Sequence, residues 1–367
     1  MKLKFLDLNK QSRNIENKIL KSLKQNIKTS SFIGGQDLLL FQNEFKKYLK
    51  IKYCLGVANG TDALEIAIKT LKLKKNSEII VPSNSWISTA EAVLNNNLKV
   101  KFVDVDDTHN ICINDLKNKI SKKTSAIIVV HLFGNPANLS EILKLKKKYN
   151  LKLIEDCAQA HGAEYNGKKI SNFSDIATFS FFPSKNLGCY GDGGCVVTNF
   201  KKYYLEMKKI ANHGGLKKNS HLILGRNSRL DNIQAGILRI KLKQLDKWIK
   251  IRKKQAKIYV KNLSKIKKIS FVRQLKNTKS SYHLMVIKSP FRNKLKNYLK
   301  KKGVNTGIHY PYALPEVPIF KKHHYNYCKN MKSIDLRKNI LSLPIGEHLN
   351  SKQITYVCKV INNFFDA

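Results

Sequence analysis

The sequence predicts an α/β protein built on a mostly parallel sheet, followed by a smaller C-terminal α+β domain. Three observations carry that expectation. At 367 residues the chain is longer than one compact core usually sustains, so two domains are expected. Between about residues 50 and 200, short apolar runs alternate with amphipathic helical patterns, the signature of successive βαβ units. From Asp231 onward a helical stripe leads into a second, shorter set of strands and helices. The expected domains are residues 1–245 and 246–367.

Taken in order, "YCLGVA" (53–58) reads as a strand feeding the helix "ALEIAIKTL" (63–71), where Leu64, Ala67, Ile68 and Leu71 share one face. "EIIVP" (78–82) feeds a helix at "STAEAVLNN", and the strands "KVKFVDV" and "AIIVVHLF" (126–133) follow. A helix over "LSEILKLKKKY" (139–149) precedes three more strands, "LKLIED" (151–156), "IATFSFF" (176–182) and "CVVTN" (195–199). Ile237, Leu238, Leu242, Leu245 and Ile249 then recur at three- and four-residue steps, with Trp248 beside them, predicting one helix from Asp231 to about residue 262. The smaller domain holds "ISFV" (269–272), "YHLMVI" (282–287), a helix near 291–302 and a last helix from Lys352 to Phe364.

Composition narrows the functional classes. The chain is 42% hydrophobic, enough for a sizeable core. No run of 18 apolar residues occurs, so no transmembrane helix is expected. The start, "MKLKFLDLNKQSRN", lacks the apolar core of a signal peptide, which points to the cytoplasm. Seven cysteines (Cys54, Cys112, Cys157, Cys189, Cys195, Cys328, Cys358) fall in no C-x-x-C or Cys/His cluster, so reduced thiols and no metal site are expected. The formal net charge of +44 suggests nucleic acid at first sight. Yet only eight of the 69 basic residues are Arg, and the lysines are spread along the whole chain beside abundant Asn and Ile. That pattern reads as an A/T-rich codon bias expressed on solvated faces rather than a nucleic-acid surface. A basic surface still attracts phosphorylated small molecules.

Parallel sheets bind ligands at the carboxyl ends of their strands, so the residues after each strand are the candidates. Asn59-Gly60-Thr61-Asp62 follows the first strand and opens a helix. Gly60 permits close backbone approach, Thr61 or Asp62 can cap the helix, and free N–H groups there attract anions. Alone, this reads first as a plain capped helix. No G-x-G-x-x-G or Walker motif accompanies it. Ser83-Asn84-Ser85-Trp86 follows the second strand, and Trp86 can either pack in the core or stack on a planar ring. Glu155-Asp156-Cys157-Ala158-Gln159 ends a buried strand, where an acid needs a cation: a lysine or a protonated pyridine nitrogen. Pro183-Ser184-Lys185 follows "FSFF", and a lysine desolvated against Phe side chains has its amine exposed for imine formation. An amine for an aldehyde, an acid for a ring nitrogen, an anion site and a flat residue are together what pyridoxal phosphate requires.

"NGTDAL", "EDCAQAHGA", "FSFFPSKNLG", "GDGG" and "GRNSRLDNIQAGILRIKL" occur in the order of the signatures of the DegT/DnrJ/EryC1 sugar aminotransferases, and the chain resembles that family over almost its whole length. The resemblance implies an aspartate-aminotransferase-like large domain (fold type I) acting as a homodimer with shared active sites. It implies that Lys185 holds the cofactor covalently and shuttles protons, and that Asp156 pairs with the ring nitrogen. Gln159 would bind the ring hydroxyl and Trp86 would stack on the ring. Gly60, Thr61 and Ser180 would bind the phosphate, which Asn227 would reach from the partner subunit. Gly34, Ser83, His309 and Tyr310 stand at substrate-side positions. Two residues depart from the family pattern: Asn59 replaces a common Ser, and Arg226 replaces a common Tyr. Arg226 is expected either to touch phosphate or to be solvated. Dehydratase relatives carry His in place of the lysine, so Lys185 implies transamination. The implied reaction passes an amine from an amino acid, glutamate, to a nucleotide-linked keto-sugar of the kind used in lipopolysaccharide, capsule or glycoprotein sugars. "YHLMVI" and "GIHYP" are most similar to members acting on dTDP-3-keto-6-deoxyhexoses, with UDP-linked 4-keto or 3-keto sugars as the alternative.

Overall fold

A computed structural model describes residues 2–217, 219–322 and 331–366; Cys328 lies outside them. The strands of the central sheet are β1 (Tyr53–Val57), β2 (Glu78–Pro82), β3 (Lys99–Val103), β4 (Thr124–Val130), β5 (Lys152–Asp156), β6 (Ile176–Ser180) and β7 (Gly194–Thr198). Their order across the sheet is β1-β7-β6-β5-β4-β2-β3. Six run in one direction and β7 runs against them. The register places Val130 beside Asp156, Asp156 beside Thr178, and Gly194 between Val57 and Ser180. The carboxyl ends of β1, β6, β5 and β4 therefore gather along one edge, where the candidate residues of four separate segments meet.

Alternation along the strands explains why they are apolar throughout. Val57, Ile79, Val81, Ile128, Ile154, Ile176 and Val196 point to one face, packed with the helix Gly60–Thr70. Ala177, Phe179, Cys195 and Val197 point to the other, against the helices Gln36–Leu49 and Asn232–Leu242. A sheet covered on both faces needs no polar alternation. Phe179 and Phe181 meet Phe45 edge-on at 5.1 and 5.5 Å. Each such pair adds about 0.5–1.5 kcal/mol beyond the burial itself.

The helix foreseen from Asp231 to about 262 is two helices, Asn232–Leu242 and Leu245–Leu263. The chain tightens at the junction, where the Gln244 N–H bonds the Lys241 carbonyl three residues back. The apolar stripe continues in phase across the break, so Leu242 and Leu245 still reach the same core. The second helix starts in that core and ends, through Ala256, Tyr259 and Leu263, in a separate one shared with the helix Ser351–Asp366 and a three-stranded sheet (Ser270–Phe271, Met285–Lys288, Ile340–Leu343). The last of those strands has no counterpart in the sequence reading. None of the helices among the described residues is long and apolar enough to cross a membrane.

Candidate active site

A cavity of about 590 Å³ opens at the gathered strand ends. Its floor comes from β4, β5 and β6 and its side from the Gly60–Thr70 helix. Gly60, Thr61, Trp86, Asp156, Gln159, Ser180, Lys185, His309 and Tyr310 all line it.

The Gly60 helix owes its start to Asn59, not to Thr61 or Asp62. Asn59 is extended, and its side-chain oxygen accepts the Asp62 N–H at 2.8 Å. The N–H groups of Gly60 and Thr61 come before the first intrahelical bond, from Ala63 N–H to Asn59 O, and both residues line the cavity. Gly60 is required by its neighbour on β6: a Cβ there would come within 2.7 Å of Ser180 Cβ. This brings Ser180 beside a free helix N-terminus, a donor set suited to an anion. The Thr61 hydroxyl is occupied elsewhere, 2.7 Å from Ser88 Oγ.

Asp156 ends β5 and is buried. It makes no ion pair with any lysine or arginine among the described residues. Ala158 N–H and the Thr89 hydroxyl donate to its two oxygens, each at 3.1 Å. Burial pushes its carboxyl above the ordinary range, opposed by those two bonds and by the charge of Lys185. Glu155 points the opposite way, to the buried His131 at 3.1 Å and to the backbone N–H groups of Ser171 and Phe173. His131, Glu155 and Cys157 cluster closely enough to suggest a metal. However, His131 Nδ1 accepts the Ala137 N–H and Nε2 faces Glu155, which leaves no ring lone pair for an ion.

Lys185 follows β6 in a tight turn, its N–H bonded to Phe182 O at 2.9 Å. Burial lowers the basicity of its amine, and Asp156 partly opposes that shift. The apolar surroundings differ from the sequence reading. Phe179 and Phe181 turn away into the core, and only Phe182 lines the cavity. Across from Lys185, Gln159 accepts the Phe133 N–H at 2.8 Å and donates to the Tyr310 hydroxyl at 2.7 Å. His309 Nδ1 lies 2.8 Å from Ser342 Oγ, and burial together with Lys185 lowers its pKa to about 4. Trp86 stands at the rim 57% exposed, 5.6 Å from the Tyr310 ring, so one indole face is open for stacking.

Three sequence candidates lie elsewhere. Ser83 extends β2 by bonding Val103 O, which turns its hydroxyl into the core and out of the cavity; Ser85 lines the cavity instead. Gly34 has a left-handed φ of +71° and no atom within 4 Å of where a Cβ would stand. Asn227 lines a neighbouring cavity of about 440 Å³ with Ile33, and the two cavities share Asp192. Arg226 does not face an open anion site, and although its side chain is 35% exposed it is not free in solvent: Nη1 pairs with Asp62 Oδ1 at 2.8 Å and Nη2 with Glu65 Oε2. Thr89 and His283 were not foreseen. Thr89 sits inside a helix pattern. His283, buried at the cavity with Nδ1 3.3 Å from Asn186 Oδ1, resembles a core histidine by its neighbours.

The model of the DegT/DnrJ/EryC1/StrS aminotransferase family matches residues 13–362. The chain belongs to this family. It is 35% identical to the dTDP-3-amino-3,6-dideoxy-alpha-D-galactopyranose transaminase of Aneurinibacillus thermoaerophilus, over 98% of this chain and 99% of that one. It is 33% identical to the UDP-2-acetamido-2-deoxy-3-oxo-D-glucuronate aminotransferase of Pseudomonas aeruginosa, over 98% and 100%. The crystal structure of S. venezuelae DesV in complex with a ketimine intermediate superposes with a TM-score of 0.97 at 31% identity, covering 100% of this chain and 99% of that one. Aminotransferases of this family depend on pyridoxal phosphate. The cavity suits that group: an amine of lowered basicity, a buried carboxylate without a cation, a glycine-lined helix N-terminus, and an open indole face.

Proposed function

We propose that the chain moves an amino group from an amino acid, glutamate in this reading, to the 3-keto carbon of a dTDP-linked 6-deoxyhexose. One observation supports this above the rest: the Lys185 amine and the Asp156 carboxylate open onto one cavity whose wall is a free helix N-terminus. When bound there, pyridoxal phosphate supplies an aldehyde for the travelling amine and a protonated ring that withdraws electrons. Lys185 Nζ would hold the cofactor and, as a free amine, would carry a proton between neighbouring carbons, work that contributes about 10²–10⁴-fold. Burial favours the neutral amine that this role needs. Asp156, held by Thr89 and Ala158, keeps the ring nitrogen protonated. Gln159 has a second amide N–H for the ring hydroxyl, and Trp86 covers a ring face. Gly60, Thr61 and Ser180 bind the phosphate. His309 is uncharged above about pH 4, so with Tyr310 it meets sugar hydroxyls as a neutral hydrogen-bonding group.

The active unit in this reading is a homodimer in the cytoplasm. Leu222 and Leu224 stand 70% and 86% exposed, apolar surface that a second copy would cover. Asn227 and Gly34, absent from the cavity of their own chain, would complete that of the partner. A UDP-linked keto-sugar is the second reading, favoured by the similar identity of the P. aeruginosa relative. Purified protein incubated with glutamate and, separately, dTDP- and UDP-linked 3-keto and 4-keto sugars separates the two by mass spectrometry of the product. Amination of the dTDP 3-keto sugar with the highest kcat/KM is expected. Turnover of the UDP sugars alone selects the second reading, and no amination of any rejects both.

A further inference from the structure

One carboxylate at the cavity is badly placed for an anion site. Asp62 lies in the first turn of the Gly60 helix and lines the cavity beside Gly60 and Thr61. One turn on, Glu65 is buried. An acid in the first turn suits the helix dipole, but it repels the dianion that the same N–H groups attract. A single cation meets both acids. Arg226 Nη1 is 2.8 Å from Asp62 Oδ1, and Nη2 is hydrogen-bonded to Glu65 Oε2. The other Glu65 oxygen accepts from Asn95 Nδ2 at 2.7 Å.

The backbone delivers this guanidinium to one place. The Arg226 N–H donates to Ile210 O at 2.7 Å, and its carbonyl accepts the His213 N–H at 3.0 Å. Two residues on, the Ser228 N–H donates to Ala211 O at 3.0 Å, while Ser228 Oγ accepts the Ala58 N–H at 3.1 Å, just ahead of the Gly60 helix. On the other side, a Cβ at Gly225 would come within 2.2 Å of Gly214 N, so the chain is pressed flat against the preceding loop. The segment 225–228 is thus bonded both to the end of the helix Lys201–Ala211 and to the strand end that launches the Gly60 helix.

We propose that Arg226 is a positioning residue for the cofactor phosphate: by pairing with both Asp62 and Glu65 it offsets one of the two negative charges beside the anion site and fixes the helix end that supplies the N–H groups. Arg226 acts through Asp62 and does not itself touch the phosphate. The proposal rests on the placement of the phosphate at the Gly60 helix.

The test uses full-length protein freed of cofactor and compares binding of pyridoxamine 5'-phosphate with that of pyridoxamine by fluorescence titration. Neither amine bonds covalently to Lys185, so the ratio of the two affinities reports the phosphate alone. Arg226→Ala is expected to weaken the phosphorylated ligand roughly tenfold or more, the effect of one uncancelled charge nearby, and to leave pyridoxamine within about twofold. Arg226→Lys should recover most of the loss, since it keeps the charge. Arg226→Ala combined with Asp62→Asn and Glu65→Gln leaves no buried carboxylate unpaired, so it covers the case in which Arg226→Ala alone does not fold. That triple variant, which has no charge left in the cluster, should show at least the wild-type preference for the phosphorylated ligand. Equal weakening of both ligands by Arg226→Ala, or a triple variant that lacks the preference, overturns the proposal. Wild-type protein that binds both ligands equally would instead remove the phosphate from the Gly60 helix, and the proposal with it.

Discussion

Asp156→Asn separates what this carboxylate does for the fold from what it does for the reaction. Asp156 is 5% exposed, and its two oxygens accept from Ala158 N–H and the Thr89 hydroxyl at 3.1 Å each. Asn keeps the shape but offers one acceptor, so one donor meets an amide N–H, a mismatch costing about 1–3 kcal/mol. The opposing effect is electrostatic. Burial raises the Asp156 carboxyl above its ordinary 3.8. An acid raised in the fold contributes stability that is fully present below its unfolded value and lost as pH climbs through the folded value. At neutral pH the cofactor-free wild type therefore carries a penalty that Asn removes. The two effects oppose each other, so at pH 7 the cofactor-free variant should melt closer to wild type than the lost hydrogen bond alone would give. Across the range above 3.8, wild type should lose stability relative to the variant. Catalysis has no such offset. In the proposed reaction Asp156 would pair with a protonated ring nitrogen; at a separation of about 3 Å and an effective dielectric near 20 such a pair would be worth about 5 kcal/mol, of which an amide hydrogen bond would return about 1. A net loss of about 4 kcal/mol predicts kcat/KM lower by about 10³-fold. Steady-state amination, followed by release of the donor's keto acid, reads that number. A loss under about tenfold together with a melting point lowered by several degrees would refute the reasoning, because Asp156 would then be a structural acid.

Three further outcomes follow from the same geometry. Lys185→Ala should abolish turnover and the visible absorbance of covalently held cofactor; a variant with full activity would sink the assignment. Gly60→Ala places a Cβ 2.7 Å from Ser180 Cβ and 3.3 Å from Ser180 Cα, pushing the helix end off β6. Such overpacking costs about 1–3 kcal/mol, and equilibrium dialysis should find the cofactor held roughly tenfold more weakly or worse. Unchanged retention would place the phosphate elsewhere. Lys241 is buried, and burial lowers its amine to about 8. A base lowered in the fold is penalised wherever it must carry its proton, so its contribution to stability rises between about pH 8 and the unfolded value of 10.5. The melting temperature of Lys241→Met minus that of wild type should therefore fall across this window, and a flat difference would contradict the burial argument.

What was legible in the sequence was whatever lies within a few residues of a strand end. Gly60, Asp156, Gln159, Ser180 and Lys185 each end or follow an apolar run, and a mostly parallel sheet collects those ends on one edge without any knowledge of packing. Contacts made across the chain were not legible. Thr89 holds Asp156 from 67 residues away, His283 meets Asn186 across 97, and Arg226 reaches Glu65 across 161, pairings that no local pattern around either partner specifies. The break at residues 243–244 was hidden for a different reason: the apolar stripe stays in phase across it, and periodicity reports phase, not continuity.

The lysines carry the sharper lesson. Dispersed among so many, they read as solvated, and composition alone distinguishes none of them. Lys185 was separable because apolar strand and glycine turn flank it. Lys241, in "LRIKLKQL", has no such flank, yet among the described residues it is the only fully buried lysine. Its amine donates to Gly188 O at 2.7 Å and lies 4.4 Å from the centre of the Tyr190 ring. The Tyr190 N–H in turn donates to Gln234 Oε1 at 2.8 Å, from the same helix as Lys241. Lys185 and Lys241 therefore both serve one loop, residues 185–190. One faces the cavity from its start, and the other ties its far end to the helix Asn232–Leu242. In the proposed reaction this loop must keep the Lys185 amine at a fixed spot, which needs a rigid return path, and a buried cation on a carbonyl supplies one.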